Sequence, residues 1–210
     1  QLAKWDFTSE NIFVEGGEIK VNDESESKFV ATLKNEASIR TIGETNKFNV
    51  LDLGNGTGYM DMGTAIGKAV YSLNNYTVCG FFRIDESYEY LNSNGNFYWT
   101  FSNTADAMND PTGYFIGSLK NTSQSIASGR YDQGNQAVGL NQNAPKGGWH
   151  HFAFTQNGTT AITYLDGVPT DTATITNLPS QVLQRAGREG TLYNWLGRSN
   201  YKNDVYLRQT

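Results

Sequence analysis

Cysteine, histidine and proline are all scarce in this chain of 210 residues, with one Cys, two His and four Pro. A lone Cys79 excludes an intrachain disulfide. With only two histidines beside it, the residues for a soft zinc site are also missing. The net charge is −5 and no basic cluster occurs. A nucleic-acid partner is therefore not expected, because phosphate binding needs a concentrated Lys/Arg face. No apolar run approaches the roughly 18 residues of a membrane span. Nucleophile elbows, zinc motifs, phosphate loops, repeats and low-complexity tracts are absent too.

Aromatic residues and glycine are plentiful, with 12 Tyr, 11 Phe, 4 Trp and 22 Gly. Hydrophobic segments are short and separated by Gly, Asn, Asp and Ser, the pattern of many strands joined by turns. The length fits one large domain or two small ones and buries enough surface, roughly 70% of it, to need no staples. Residues 1–7 (QLAKWDF) read as a first strand, and 18–21, 29–33, 37–42, 48–53 and 59–62 follow. Residues 63–75 fit a helical turn or a loop. Strands are expected at 76–84, 97–102, 113–119, 125–130, 149–156, 159–165, 168–175, 192–196 and 204–207. That makes about 14 short strands, the signature of an antiparallel sandwich. Cys79, inside the apolar run 76–84, is expected to be a buried structural thiol. Sequons at Asn55, Asn75, Asn121 and Asn157 read first as turn chemistry and second as glycan acceptors.

Both histidines lie in WHHFAFTQNG, residues 149–158. Alternation places Trp149, His151 and Ala153 on one face of a strand and His150, Phe152 and Phe154 on the other. The two imidazoles therefore do not share a metal. One belongs in or near the core and the other is partly exposed. Asn157-Gly158 and Asp166-Gly167 are preferred pairs for two-residue hairpin turns. Residues 149–175 thus read as a three-stranded meander.

The segment GWHHFAFTQNGTTAITYLDGVP resembles the most recognisable part of laminin G-like domains, in the concanavalin A-like lectin/glucanase superfamily. NVLDLGNGTGYMDMG is similar to the early hairpin of that family, YTVCGFFRI to its central strand, and NWLGRSNYKNDVYL to its late strand-loop-strand. The resemblance implies an all-β, two-sheet antiparallel jelly-roll sandwich of the concanavalin A-like kind over residues 1–210. Similar domains continue past the position of DVYLRQT with one more strand beside the first. A chain ending at Thr210 would leave QLAKWDF as an unpaired edge. This suggests a domain from a larger polypeptide, with a catalytic domain downstream. The start at Gln1, without Met or apolar leader, fits either a removed signal or a trimmed chain, and the resemblance implies an extracytoplasmic protein.

The superfamily includes glycosidases whose acids lie on one strand. A retaining enzyme needs two carboxyl groups about 5–5.5 Å apart. Acids two apart on one strand would share a face. Glu24-Ser25-Glu26 is the sole such spacing, and it reads as a polar loop; Asp85, Glu86 and Glu89 are wrongly spaced at a strand end. Acids from different strands could still meet, so a glycoside hydrolase stays as an alternative, and a structural or adhesion module as another. The favoured expectation is a noncatalytic carbohydrate-binding or accessory module of a secreted bacterial polysaccharide-processing protein, with a polysaccharide or oligosaccharide as partner.

Sugar sites combine aromatic platforms with a few convergent polar groups. The candidates are Tyr193, Trp195, Arg198, Asn200 and Tyr201; Arg130, Tyr131 and Asp132; and Tyr98, opposite in phase to its aromatic neighbours. Trp195 alternates with Leu196, and Leu is the better core residue, so Trp195 is expected to face outward as the main platform. No cofactor is required. Resembling domains sometimes hold a structural Ca²⁺, which takes several oxygen ligands. Asp6, Asp52, Asp61 and Asp204 are contributors of the right type, without a local calcium-loop motif.

Overall fold

The computed structural model describes residues 1–54, 56–87, 96–106, 113–119, 126–131, 134–139, 142, 144–182, 190 and 192–201. The residues expected as a strand at 204–207, and Asn55, Glu89, Asn121, Asp132 and Asp204, lie outside that set. The first half carries β1 (Ile12–Glu15), β2 (Glu18–Asn22), β3 (Val30–Lys34), β4 (Ser38–Ile42), β5 (Phe48–Asp52), β6 (Tyr59–Asp61), α1 (Gly63–Tyr71) and β7 (Asn75–Phe82). The second half carries β8 (Asn96–Ser102), β9 (Tyr114–Leu119), β10 (Ile126–Tyr131), β11 (Gly134–Gly139), β12 (His150–Asn157), β13 (Thr160–Leu165), β14 (Val168–Thr174), α2 (Pro179–Val182) and β15 (Tyr193–Leu196).

One sheet has nine strands, in the order β1-β2-β3-β6-β15-β8-β9-β10-β11. A second has four, in the order β14-β13-β12-β7, and β4 pairs with β5 as a separate hairpin. Neighbours pair antiparallel throughout, from β1–β2 to β10–β11 and along the four-stranded sheet. This is the expected all-β antiparallel architecture.

The two sheets enclose a core that includes Met60, Phe97, Trp99, Phe101 and Phe115 from one side and Phe82, Phe152 and Phe154 from the other. Trp99 is its centre. Its ring centroid lies 5.7 Å from that of Phe152 and 5.9 Å from that of Phe154. Room for the indole comes from Gly117 on β9, where an added Cβ would lie 1.9 Å from the ring. Packing this dense gives little when volume changes, so only glycine fits there.

The meander follows the turn chemistry of its sequence. Asp166 and Gly167 both have positive φ, 50° and 80°, as a type I′ hairpin requires. The other turn differs from expectation. Asn157 pairs with Thr160, so the loop is Gly158-Thr159 and not Asn157-Gly158. Gly158, at φ 56°, takes the first central position, the residue a type II′ turn prefers.

Two further expectations are corrected. Residues 1–7 form no strand. The Lys4 amide donates to Asp23 Oδ1 at 2.7 Å, where a ladder would offer a carbonyl. Phe7 then turns the chain at φ 58°, while Leu2, Trp5 and Phe7 still pack on the core. Burial opposes ionisation of Asp23, but the amides of Ser25, Lys4 and Phe29 and the Ser25 hydroxyl outweigh it and hold the carboxyl below its usual range. Cys79 is exposed rather than buried. On β7 it is Gly80 that faces inward, receiving the Tyr98 hydroxyl where a Cβ would lie 2.2 Å away. Alternation then turns Cys79 and Phe81 out. Of the helical turn or loop expected at 63–75, the structure shows the helix, α1, nine residues long and burying Ile66 and Val70, and β11 forms at 134–139, where no strand was expected.

Candidate functional site

The central strands of the nine-stranded sheet, β6, β15 and β8, alternate between core and outer face. Met60, Leu196 and Trp99 lie in one register row, on the core side. Asp61, Trp195 and Thr100 form the adjacent row, on the outer face. The expected phase of Trp195 and Leu196 is therefore right. The expected exposure is not, since Trp195 is only 4% exposed.

The outer face is itself covered. Tyr59 meets Trp195 edge-on with centroids 5.7 Å apart, and Tyr193 packs on it at 5.4 Å. The Arg198 guanidinium sits in the corner between two rings, 4.1 Å from the Trp195 centroid and 4.6 Å from that of Tyr59. Such cation–π contacts favour Arg over Lys and orient the planar fork. Trp195 is thus a support beneath the surface, not the platform. Tyr59, Tyr193 and Arg198 remain partly exposed above it, and Tyr201 is partly exposed at the end of the loop that follows.

The loop 197–201 is held against this face by polar bonds. Thr100 Oγ1 donates to the Arg198 carbonyl at 2.6 Å, and the Gly197 amide donates to the Tyr98 carbonyl at 3.1 Å. Asn200 Nδ2 donates to Ser102 Oγ at 2.9 Å. Thr100, Ser102 and Asn200 are all buried. The Tyr201 and Tyr114 hydroxyls are hydrogen-bonded to each other, and their rings meet edge-on at 5.8 Å. Opposite Tyr59 on β3, Lys34 donates to Glu18, and that bond raises the lysine pKa above its usual value.

Of the residues singled out in the sequence, the structure brings together Tyr193, Trp195, Arg198, Asn200 and Tyr201. Arg130 lies in β10 opposite Tyr114, and Tyr131 ends that strand; their side chains lie outside the described set. Tyr98 does not join the site. The register shifts between Phe97 and Trp99, and its ring packs against Phe82 and Phe152, at 6.4 and 6.0 Å. Burial pushes its hydroxyl pKa up. Sequence reasoning missed Tyr59 and Tyr114. The alternation in Tyr59-Met60-Asp61-Met62 was the available signal, since it sets an aromatic and an acid opposite two methionines.

Asp61 is the only carboxylate in β6, β15 and β8, and its Oδ1 accepts the Gly63 amide at 2.9 Å. The other acids weighed as oxygen ligands are also engaged locally. Asp6 Oδ1 accepts from the Thr8 amide, and Asp52 from the Gly54 amide and Arg40. Among the described residues no three His, Cys, Asp or Glu side chains come together as a metal site. The histidines part as the strand dictates. His150 Nδ1 lies 2.8 Å from Asp166 Oδ2, while the His151 ring sits 5.0 Å from that of Phe81. The bonds from His150 and the His151 amide hold the Asp166 carboxyl below its usual range.

The chain belongs to the laminin G-type family of the Concanavalin A-like lectin/glucanases superfamily, whose model matches residues 54–207. Its structure is similar to domain 4 of AbnA, a GH43 extracellular arabinanase from Geobacillus stearothermophilus solved in complex with arabinotriose. The TM-score is 0.58 at 14% identity, covering 90% of this chain and 82% of that one. Domains LG4-5 of the mouse laminin alpha1 chain align with a TM-score of 0.43 at 12% identity, over 92% of this chain and 46% of that one. No curated protein matches the chain in sequence. Among the described residues no helix is long and apolar enough to cross a membrane.

Proposed function

We propose that this chain is a noncatalytic, extracytoplasmic carbohydrate-binding module that serves a polysaccharide-processing protein. The observation that carries the reading is the set of partly exposed polar rings and the guanidinium held over Trp195. Tyr59 and Tyr193 offer ring edges and hydroxyls, Arg198 offers a preorganised fork, and Tyr201 adds a ring at the end of the following loop. Saccharides are bound by this combination of apolar rings and few fixed polar groups. Asp61, the only carboxylate of the three central strands, has no second carboxyl on them to share glycoside hydrolysis with. The similar arabinanase domain was solved with arabinotriose, which makes arabinotriose and arabinan the first ligands to try.

Affinity electrophoresis across arabinan, other plant glycans and host glycans tests the reading. Retardation on at least one glycan is expected, lost on Tyr193→Ala with Arg198→Met. Absence of retardation on every glycan would leave a structural or adhesion module. Release of reducing sugar at enzyme-like rates, abolished by removing one carboxylate, would replace the reading with a hydrolase.

A further inference from the structure

A second polar and aromatic concavity lies on the opposite side of the sandwich, beside the β4–β5 hairpin. It is a pocket of about 80 Å³ lined by Arg40, Asp52, Arg83, Asp85 and Trp149 over a floor of Ile42 and Val50. Register explains the assembly. Arg40 faces Val50 and Ile42 faces Phe48 across the hairpin. Arg83 and Asp85 continue from the end of β7, where alternation puts them on the same outer side as Phe81.

The polar groups of this pocket are unevenly used. Asp52 is committed to the Gly54 amide, at 2.8 Å, and to Arg40, at 3.3 Å. Asp85 Oδ1 accepts from the amide and hydroxyl of Ser87. Arg83 makes no hydrogen bond to any described residue, and its Nε is shielded from solvent without a partner. A shielded donor left without an acceptor is destabilising, because its bond to water is lost and not replaced. Arg40 is largely exposed, with Asp52 as its single ion-pair partner among the described residues. The pocket therefore pairs two guanidinium groups with two carboxylates, and although the Asp85 charge acts on Arg83, the Arg83 Nε donor is left without an acceptor. At its rim the Trp149 and Phe48 rings are 37% and 49% exposed, with centroids 6.0 Å apart.

We infer that this pocket binds an acidic sugar, a hexuronate unit, with its carboxylate on Arg83 and Arg40 and its C–H face on Trp149. A carboxylate matches the planar fork of arginine with two parallel bonds. Asp85, which lines the same pocket, brings a carboxylate as an acceptor for a ring hydroxyl. The two rings supply the apolar wall that a free inorganic anion would not use. None of these residues belongs to the Tyr193–Arg198 face, so the inference stands or falls apart from the saccharide site proposed there.

The test is a titration of the folded protein, followed through the Trp149 indole NMR signal, with digalacturonate, neutral galactobiose and acetate as probes. Digalacturonate is expected to shift the Trp149 signal and to bind at least tenfold more tightly than either other probe. Arg83→Lys and Trp149→Ala should each weaken it tenfold or more, while Tyr193→Ala leaves it unchanged. The melting temperature of each variant checks that the fold persists, and Arg83→Lys keeps charge and bulk while losing the fork. Equal binding of galactobiose would overturn the role of the carboxylate, and equal binding of acetate the role of the sugar face. An unmoved Trp149 signal, or full affinity in Arg83→Lys, would overturn the assignment outright.

Discussion

Trp195 and Trp149 stand on opposite outer faces of one sandwich and are treated in opposite ways. Trp195 lies mid-sheet, 4% exposed, under two tyrosine rings and a guanidinium. Trp149 lies at a sheet margin, 37% exposed, beside an arginine without a hydrogen-bond partner among the described residues. In the first region the indole fixes the groups that would touch a ligand. In the second the indole is itself the surface on offer. A tryptophan in a polar sequence setting therefore does not identify a platform; what covers its ring does.

The comparison breaks most visibly in stability. Trp195→Ala should cost about 3–5 kcal/mol in denaturant unfolding, as large buried aromatics do. Trp149→Ala should stay within about 0.5 kcal/mol, as exposed positions usually do. Similar losses for both would erase the distinction between support and surface.

Asp23 gives the next largest effect. Asp23→Ala strands the amides of Lys4, Ser25 and Phe29, and a loss of about 2–4 kcal/mol is expected. Its folded pKa lies below its usual value, so its contribution is complete above the unfolded value of about 3.9 and fades as pH falls through the folded one. Asp166 shifts in the same direction and has the same sign. Melting temperature should therefore be flat above about pH 5 and decline on further acidification. Asp23→Asn should shallow that decline, and a protein that gained stability in acid would contradict the assignment.

A smaller change separates the loop 197–201 from the sheet beneath it. Tyr201→Phe removes only the hydroxyl bonded to Tyr114 and should cost about 1 kcal/mol. Its effect on saccharide binding should exceed its effect on the Trp149 pocket, which lies on the other face.

Much of this architecture was legible because local chemistry decides it. Asp166-Gly167 can adopt the left-handed turn that sets the β13–β14 register, and Phe152, Phe154 and Trp99 alternate as core residues must. Cross-strand neighbours were not legible. The order β6-β15-β8 joins residues more than ninety positions apart, about which hydrophobic period says nothing. Tyr59, beside Trp195, and Tyr114, beside Tyr201, therefore escaped notice. Tyr98 was misread because a register shift beside it changes the simple alternation. Cys79 was misread because an apolar run suggests two buried faces, whereas only one face of β7 meets the core. The Arg40–Arg83 pocket needed the hairpin to stand against the end of β7, a tertiary fact with no local mark.

The central claim is that the rings and guanidinium above Trp195 form a saccharide-binding surface. Its most direct test is an amide and indole NMR titration with the best-retained glycan fragment. The account predicts saturable shifts at Tyr59, Tyr193, Trp195, Arg198 and Tyr201, with the Trp149 indole unmoved by a neutral saccharide. Saturation that leaves those five signals in place, or moves only residues elsewhere, would contradict it.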